Sequence, residues 1–161
     1  MDDFVTWVAA LESGSQLERR AAAEQLAHLG EGARSAAVIL IRAAGDGDEQ
    51  TSEWAVAALE ELGPPSQNLI AELTELLQGT PTAAYWAATL LGRLPSAPQQ
   101  TILELVGALE EHPATEVRHR AAWALGKLRA QEALGPLERA AASSDQRLRR
   151  IADQARREIG P

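Results

Sequence analysis

Apolar residues recur along this chain at helical spacing, and the spacing itself repeats. Four segments share one pattern: Ala22-Ala23-Glu24-Gln25-Leu26-Ala27-His28-Leu29-Gly30, Ala55-Val56-Ala57-Ala58-Leu59-Glu60-Glu61-Leu62-Gly63, Ala87-Ala88-Thr89-Leu90-Leu91-Gly92-Arg93-Leu94-Pro95 and Ala121-Ala122-Trp123-Ala124-Leu125-Gly126-Lys127-Leu128. Aligned on Leu26, Leu59, Leu91 and Leu125, the copies step by 33, 32 and 34 residues. A degenerate fifth copy, Leu148 to Ala155 and ending at Ile159, matches Val117 to Ala124 at an offset of 31. Within a copy, Ala121, Leu125 and Leu128 fall at i, i+4 and i+7 on one helical face. The alanines let a neighbouring helix come close, and the leucines fill the space beneath.

Each copy meets a stop signal: Gly30 and Gly32, then Gly63 with Pro64 and Pro65, then Pro95 with Pro98. A second helix follows each time. It carries Val38 and Ile41 in the first unit and Leu69, Ile70, Leu73, Leu76 and Leu77 in the second. The third carries Ile102, Leu103, Val106 and Leu109, and the fourth opens near Pro136 with Leu137 and Ala141. Between units, Gly45-Asp46-Gly47-Asp48, Gly79-Thr80-Pro81-Thr82, His112-Pro113-Ala114-Thr115 and Ser143-Ser144-Asp145 each combine a chain breaker with a residue suited to an N-cap. At the start, Asp2 or Asp3 caps a short helix with the stripe Phe4, Trp7, Val8 and Leu11. The pattern therefore predicts ten helices in one all-α domain spanning 1–161: a leading helix (1–15), four antiparallel pairs (16–46, 47–80, 81–113 and 114–144) and a trailing helix (145–161). The two outer helices are expected to cover the ends of the stack.

The fourth unit, Val117-Arg118-His119-Arg120-Ala121-Ala122-Trp123-Ala124-Leu125-Gly126-Lys127-Leu128, resembles the bacterial HEAT-like repeat also found in phycobilisome lyases. Ala133-Leu134-Gly135-Pro136-Leu137 fits that repeat's proline-initiated second helix. The resemblance runs from about Leu17 to Ile159. It implies a right-handed α-solenoid whose second helices line a concave, protein-binding face; it specifies fold more sharply than function.

Composition agrees. The 161 residues are 45% hydrophobic but only 4% aromatic, which favours closely packed helices over a β-sandwich or barrel. With no cysteine there is no disulfide, thiolate nucleophile or cysteine-based metal site. No apolar run nears the roughly 20 residues that span a bilayer, and Met1-Asp2-Asp3-Phe4 is acidic where a signal peptide is basic. The expectation is a cytoplasmic protein without a membrane partner. From the Met1 start and the irregular repeat lengths, the expectation is a natural, complete chain, the alternatives being a designed protein or a module cut from a larger chain.

Charge changes the picture. The net charge is −8, yet residues 1–111 hold 5 Arg against 17 acidic residues, whereas 112–161 hold 10 Lys and Arg against 6. The acidic stretch repels phosphate backbones and attracts basic peptides; the alternative is a set of solvated faces that keep an alanine-rich protein in solution. On the second helices, Asn68, Ala71, Glu72 and Glu75, then Gln100, Glu104 and Glu111, lie opposite the apolar stripe. Stacked, they form an acidic, amide-bearing strip, either a partner site or a plain hydrophilic face. Trp54 and Trp86 align immediately before Ala55 and Ala87, so their rings either pack between repeats or form an exposed aromatic pair. Arg118, Arg120, Arg149 and Arg150 belong to a candidate basic patch whose alternatives are end-cap solvation and ion pairing.

Enzymes with HEAT-like repeats supply the competing expectations. Deoxyhypusine hydroxylases hold di-iron through repeated His-Glu pairs, but the matching position here reads His119-Arg120, and His28 and His112 fall elsewhere in their units. A solvated surface role is expected for all three histidines. Phycobilin lyases share the repeat type, but nothing here singles out a tetrapyrrole pocket. Alkylpurine DNA glycosylases use a basic concave surface with Trp and Asp; Trp54, Trp86 and Trp123 are present, but the central repeats are acidic. There is no phosphate loop, since Lys127 is the only lysine, and no nucleophile elbow. The reading is a non-enzymatic scaffold or adaptor without cofactor, taking a protein or peptide partner with basic and apolar residues. A HEAT-like enzyme, enzyme accessory or nucleic-acid binder stands second.

Overall fold

The computed structural model of the chain describes residues 3–161. Among them are ten α-helices: α1 (Asp3–Ser13), α2 (Gln16–His28), α3 (Ala37–Ala44), α4 (Glu49–Glu61), α5 (Ile70–Leu76), α6 (Pro81–Leu91), α7 (Gln99–Glu111), α8 (Thr115–Lys127), α9 (Leu134–Ala141) and α10 (Gln146–Ile159). Three 3-10 stretches, Gly30–Ala36, Gln67–Leu69 and Gln131–Ala133, lead into α3, α5 and α9. The number and order of helices are those predicted.

Side-chain caps explain four of the helix starts. Ser15 and Glu18 form a capping box at α2: the Glu18 N–H donates to Ser15 Oγ (3.4 Å), and the Ser15 N–H donates to Glu18 Oε2 (2.7 Å). Asp48 accepts from the Thr51 N–H at 3.0 Å, Thr80 from Ala83 at 3.3 Å, and Asp145 from Arg147 and Leu148 at 3.0 and 3.1 Å. The turn before α8 departs from expectation. Thr115 is already inside the helix, and the N-cap is Ala114, which has no side chain to accept a bond. The His112 ring ties this turn instead, its Nδ1 accepting from the Ala114 N–H at 3.1 Å. At α1, Asp3 is the first described helical residue rather than its cap, and Asp2 lies outside the described residues.

The chain forms two compact units, Met1–Leu69 and Ile70–Pro161. In the first, α1 packs on α2, α3 on α4, and α2 on α4. In the second, the close antiparallel pairs are α5 with α6, α7 with α8, and α9 with α10, while α6, α8 and α10 pack side by side. Pairing is therefore offset by one helix from the grouping read along the sequence: the closest partners flank the short breaker-rich turns. Connections of a few residues force antiparallel neighbours, whereas the longer 3-10 links do not. By this grouping α1 and α10 are members of pairs.

The core is what the repeat predicts. Leu26, Leu59, Leu91 and Leu125 are fully buried, and so are the paired alanines Ala22-Ala23, Ala87-Ala88 and Ala121-Ala122. Glycine extends this close packing in the second unit. A Cβ on Gly92 would stand 2.6 Å from the Trp123 ring and 2.9 Å from the Ala124 Cα. Only hydrogen fits there, so α6 and α8 meet nearly backbone to backbone. One polar contact is buried between the second helices: the Thr74 and Thr101 hydroxyls lie 2.8 Å apart, and Thr74 also donates to the Ile70 carbonyl, so neither hydroxyl is left unsatisfied.

Candidate functional site

The acidic strip centres on Glu104. Helix α5 and the turn after it run beside α7, so Gln78 reaches across and donates from Nε2 to Glu104 Oε2 at 2.7 Å. One turn back on α7, Gln100 Nε2 donates to the other oxygen, Oε1, at 2.8 Å. Two neutral amides thus hold the carboxylate in a fixed orientation. Beside it opens a cleft of about 330 Å³ lined by Leu77, Gln78, Glu104, Gly107, Glu111 and His112, among others. Gly107 faces open space: a Cβ there would meet nothing within 4 Å. Leu103, the residue before Glu104 on α7, is 51% exposed.

Of the other strip residues, Glu111 lines this cleft, whereas Asn68, Glu72, Glu75 and Gln100 are not part of its lining. Glu72 and Glu75 are exposed on α5, and Gln100 is exposed at the start of α7. Asn68 is exposed in the 3-10 turn Gln67–Leu69, which belongs to the first unit. Glu110, on the same helix as Glu104, pairs with Arg139 of α9.

Trp86 is only 8% exposed, its ring edge-on to Tyr85 at 5.5 Å between centroids. Trp54 is half-buried and tilted against His28 at 5.7 Å. The arginines of the candidate basic patch divide. Arg118 donates from Nε to the Leu109 carbonyl at 2.9 Å. Arg120 lies between two rings, its guanidinium carbon 4.6 Å from the Tyr85 centroid and 5.0 Å from that of Trp123, and it donates to the Tyr85 hydroxyl. Arg149 and Arg150 are exposed on α10, Arg149 reaching the Ser143 carbonyl at 3.3 Å.

The histidine expectation needs correction. His28 is solvated, but the His119 side chain is only 11% exposed, with Nε2 2.5 Å from Asp145 Oδ2. It grips the cap of α10. Arg20 does the same three copies earlier in the chain: its Nε donates to Asp48 Oδ2 at 2.7 Å, and Asp48 caps α4. Arg20 and His119 each stand six residues before the core leucine of their copy, Leu26 and Leu125. The Arg20 guanidinium, with the Thr51 and Gln16 donors, holds the Asp48 carboxyl far below the usual carboxylate range. Hydrogen bonding from His119, then from the Leu148 N–H, lowers Asp145 likewise. These ties needed a partner from the next repeat to be seen. The only signal in the sequence was a basic residue at one repeat position and an aspartate before the next helix.

Among the described residues, no group of three or more His, Asp or Glu side chains is placed to hold a metal ion. None of the described helices is long and apolar enough to cross a membrane.

A family model described as HEAT repeats matches residues 67–155, more than half of the chain. No curated protein matches the sequence. Among solved structures, the fold is similar to two engineered proteins of the Northeast Structural Genomics Consortium. One has a TM-score of 0.58 at 20% identity over 99% of this chain and 48% of its own. The other has a TM-score of 0.55 at 22% identity, over 96% of this chain and 80% of its own. The chain thus spans about half the length of the first. At these identities the likeness concerns fold alone.

Proposed function

Because this chain belongs to the HEAT-repeat family, we propose that it is a non-enzymatic scaffold whose α5–α7 face binds a protein segment carrying basic and apolar residues. The observation that carries this reading is Glu104, oriented by Gln78 and Gln100 at the rim of a cleft, with the exposed Leu103 preceding it on α7. A fixed carboxylate next to open apolar surface suits a lysine or arginine flanked by an aliphatic side chain. Glu72, Glu75 and Glu111 extend the same charge and steer a basic partner towards it. Asn68, Trp54 and Trp86 have no part in the cleft as proposed. In this reading the protein works in the cytoplasm, without cofactor.

The test is binding of a fluorescein-labelled amphipathic peptide of lysine and leucine, followed by anisotropy. Triple reversal of Glu72, Glu75 and Glu104 to lysine should weaken it at least tenfold. Gly107→Met, which fills the cleft from a position with room for a side chain, should weaken it as well without loss of fold. Unchanged affinity in both variants would remove the cleft from consideration.

A further inference from the structure

A second surface lies on the other row of helices of the same unit. Two contiguous hollows, of about 340 and 190 Å³, share Trp123 and Ile151 and form one groove along α8 and α10. Tyr85 of α6 closes one end, and Ala155 floors the other. Trp123 is set in place by Gly92, whose missing side chain leaves the gap its ring occupies. The floor is thus aromatic and aliphatic, and Tyr85, Trp123 and Ile151 are all half-buried.

The rim is cationic. Arg120 is held between the Tyr85 and Trp123 rings, so its guanidinium is oriented before any ligand arrives and loses little side-chain freedom on binding. Arg147 and Arg150 are exposed, line the groove, and make no ion pair among the described residues. They stand three residues apart on α10, one turn of the same face. The other charged or titratable groups facing the groove are accounted for. His119 is engaged by Asp145, Glu158 is matched by Lys127 at 3.0 Å, and Glu116 of α8 remains as an acid in the lining. Three guanidiniums therefore face one unmatched carboxylate.

We infer that this groove binds an acidic amphipathic helix of a protein partner. Carboxylates one turn apart meet Arg147 and Arg150, and an intervening apolar side chain rests on Trp123 and Ile151. The apolar floor and the acids Glu116 and Glu158 favour discrete carboxylates over the continuous phosphate charge of a nucleic acid. This surface is separate from the Glu104 cleft and does not depend on it.

The experiment uses the full chain and a fluorescein-labelled helical peptide with glutamates at successive turns around leucine and phenylalanine. The native chain should bind it. Arg147→Glu with Arg150→Glu should weaken binding at least tenfold while leaving the circular dichroism spectrum and melting temperature unchanged, which shows that the variant folds. Replacing the peptide's glutamates by lysine should restore binding to a reversed variant that also carries Glu72→Lys, Glu75→Lys and Glu104→Lys, which removes the Glu104 cleft as the site. The inference is overturned if the native chain does not bind the acidic peptide, or if the reversed variant binds it equally well. It is also overturned if a 20-nucleotide DNA of mixed sequence binds the native chain more tightly than the peptide does. Sedimentation showing native oligomers that the arginine reversal dissolves would overturn it too, since the occupant would then be a second copy of the chain.

Discussion

Gly126 and Ala155 approach so closely that a methyl group on the glycine would lie 2.6 Å from the alanine Cα. The contact joins α8 to α10 and repeats, one copy on, the meeting of Gly92 with Trp123 and Ala124. A clash with backbone atoms cannot be relieved by a rotamer change, so the helices must part. Gly126→Ala and Gly92→Ala should each destabilise the protein by about 1–3 kcal/mol, despite alanine's better helix propensity. Chemical denaturation followed by circular dichroism measures both.

Gly107 reverses the sign. It lies inside α7, as Gly126 lies inside α8, but a side chain there meets open space. Gly107→Ala gains helix propensity without strain and should stabilise the protein by roughly 0.5–1 kcal/mol. The same substitution at three glycines thus separates packing from propensity in one denaturation series.

The aligned leucines have no such freedom. Leu59, Leu91 and Leu125 are fully buried. Truncating any one to alanine leaves a cavity among close-packed neighbours and should cost about 2–5 kcal/mol, read as a lowered denaturation midpoint at unchanged slope.

Acid should act through the aspartate caps. Asp48 and Asp145 both have pKa values below their ordinary range in the folded state. Their stabilising contribution is therefore fully present above the unfolded-state value of about 3.9 and is lost as pH falls below it towards the folded-state values. Melting temperature should fall on acidification below about pH 4. Asp48→Asn should lower it at neutral pH and make the acid decline shallower. A variant whose melting curve tracks the native one from pH 7 to pH 2 would show that the tie contributes nothing.

Helices, core and repeat were legible because each depends on local spacing. Ala121, Leu125 and Leu128 share a face whatever lies beyond them. What was not legible depends on pairs of residues from different copies. His119 reads as one more polar residue until Asp145 stands 2.5 Å away. Gly92 reads as a weak helix position until α8 is laid against it. The offset in helix pairing has the same origin: sequence shows where a chain turns, but loop length and packing decide which neighbour it turns against. Of the acidic strip, the exposed glutamates could be listed from periodicity, whereas Gln78, which bonds Glu104 from beyond the end of α5, could not.

The grip of Arg20 on Asp48, echoed by His119 on Asp145, has a bearing on how such chains grow. Its cationic half sits in one copy and its anionic half at the threshold of the next. Excising the copy that holds either half therefore severs that bond. Ala114, a helix start with nothing to offer, marks a seam without such a bond: Tyr85, at the corresponding place in the preceding copy, has turned to Arg120 instead. Lineages of these arrays should tolerate gain or loss of modules most readily at junctions of that kind.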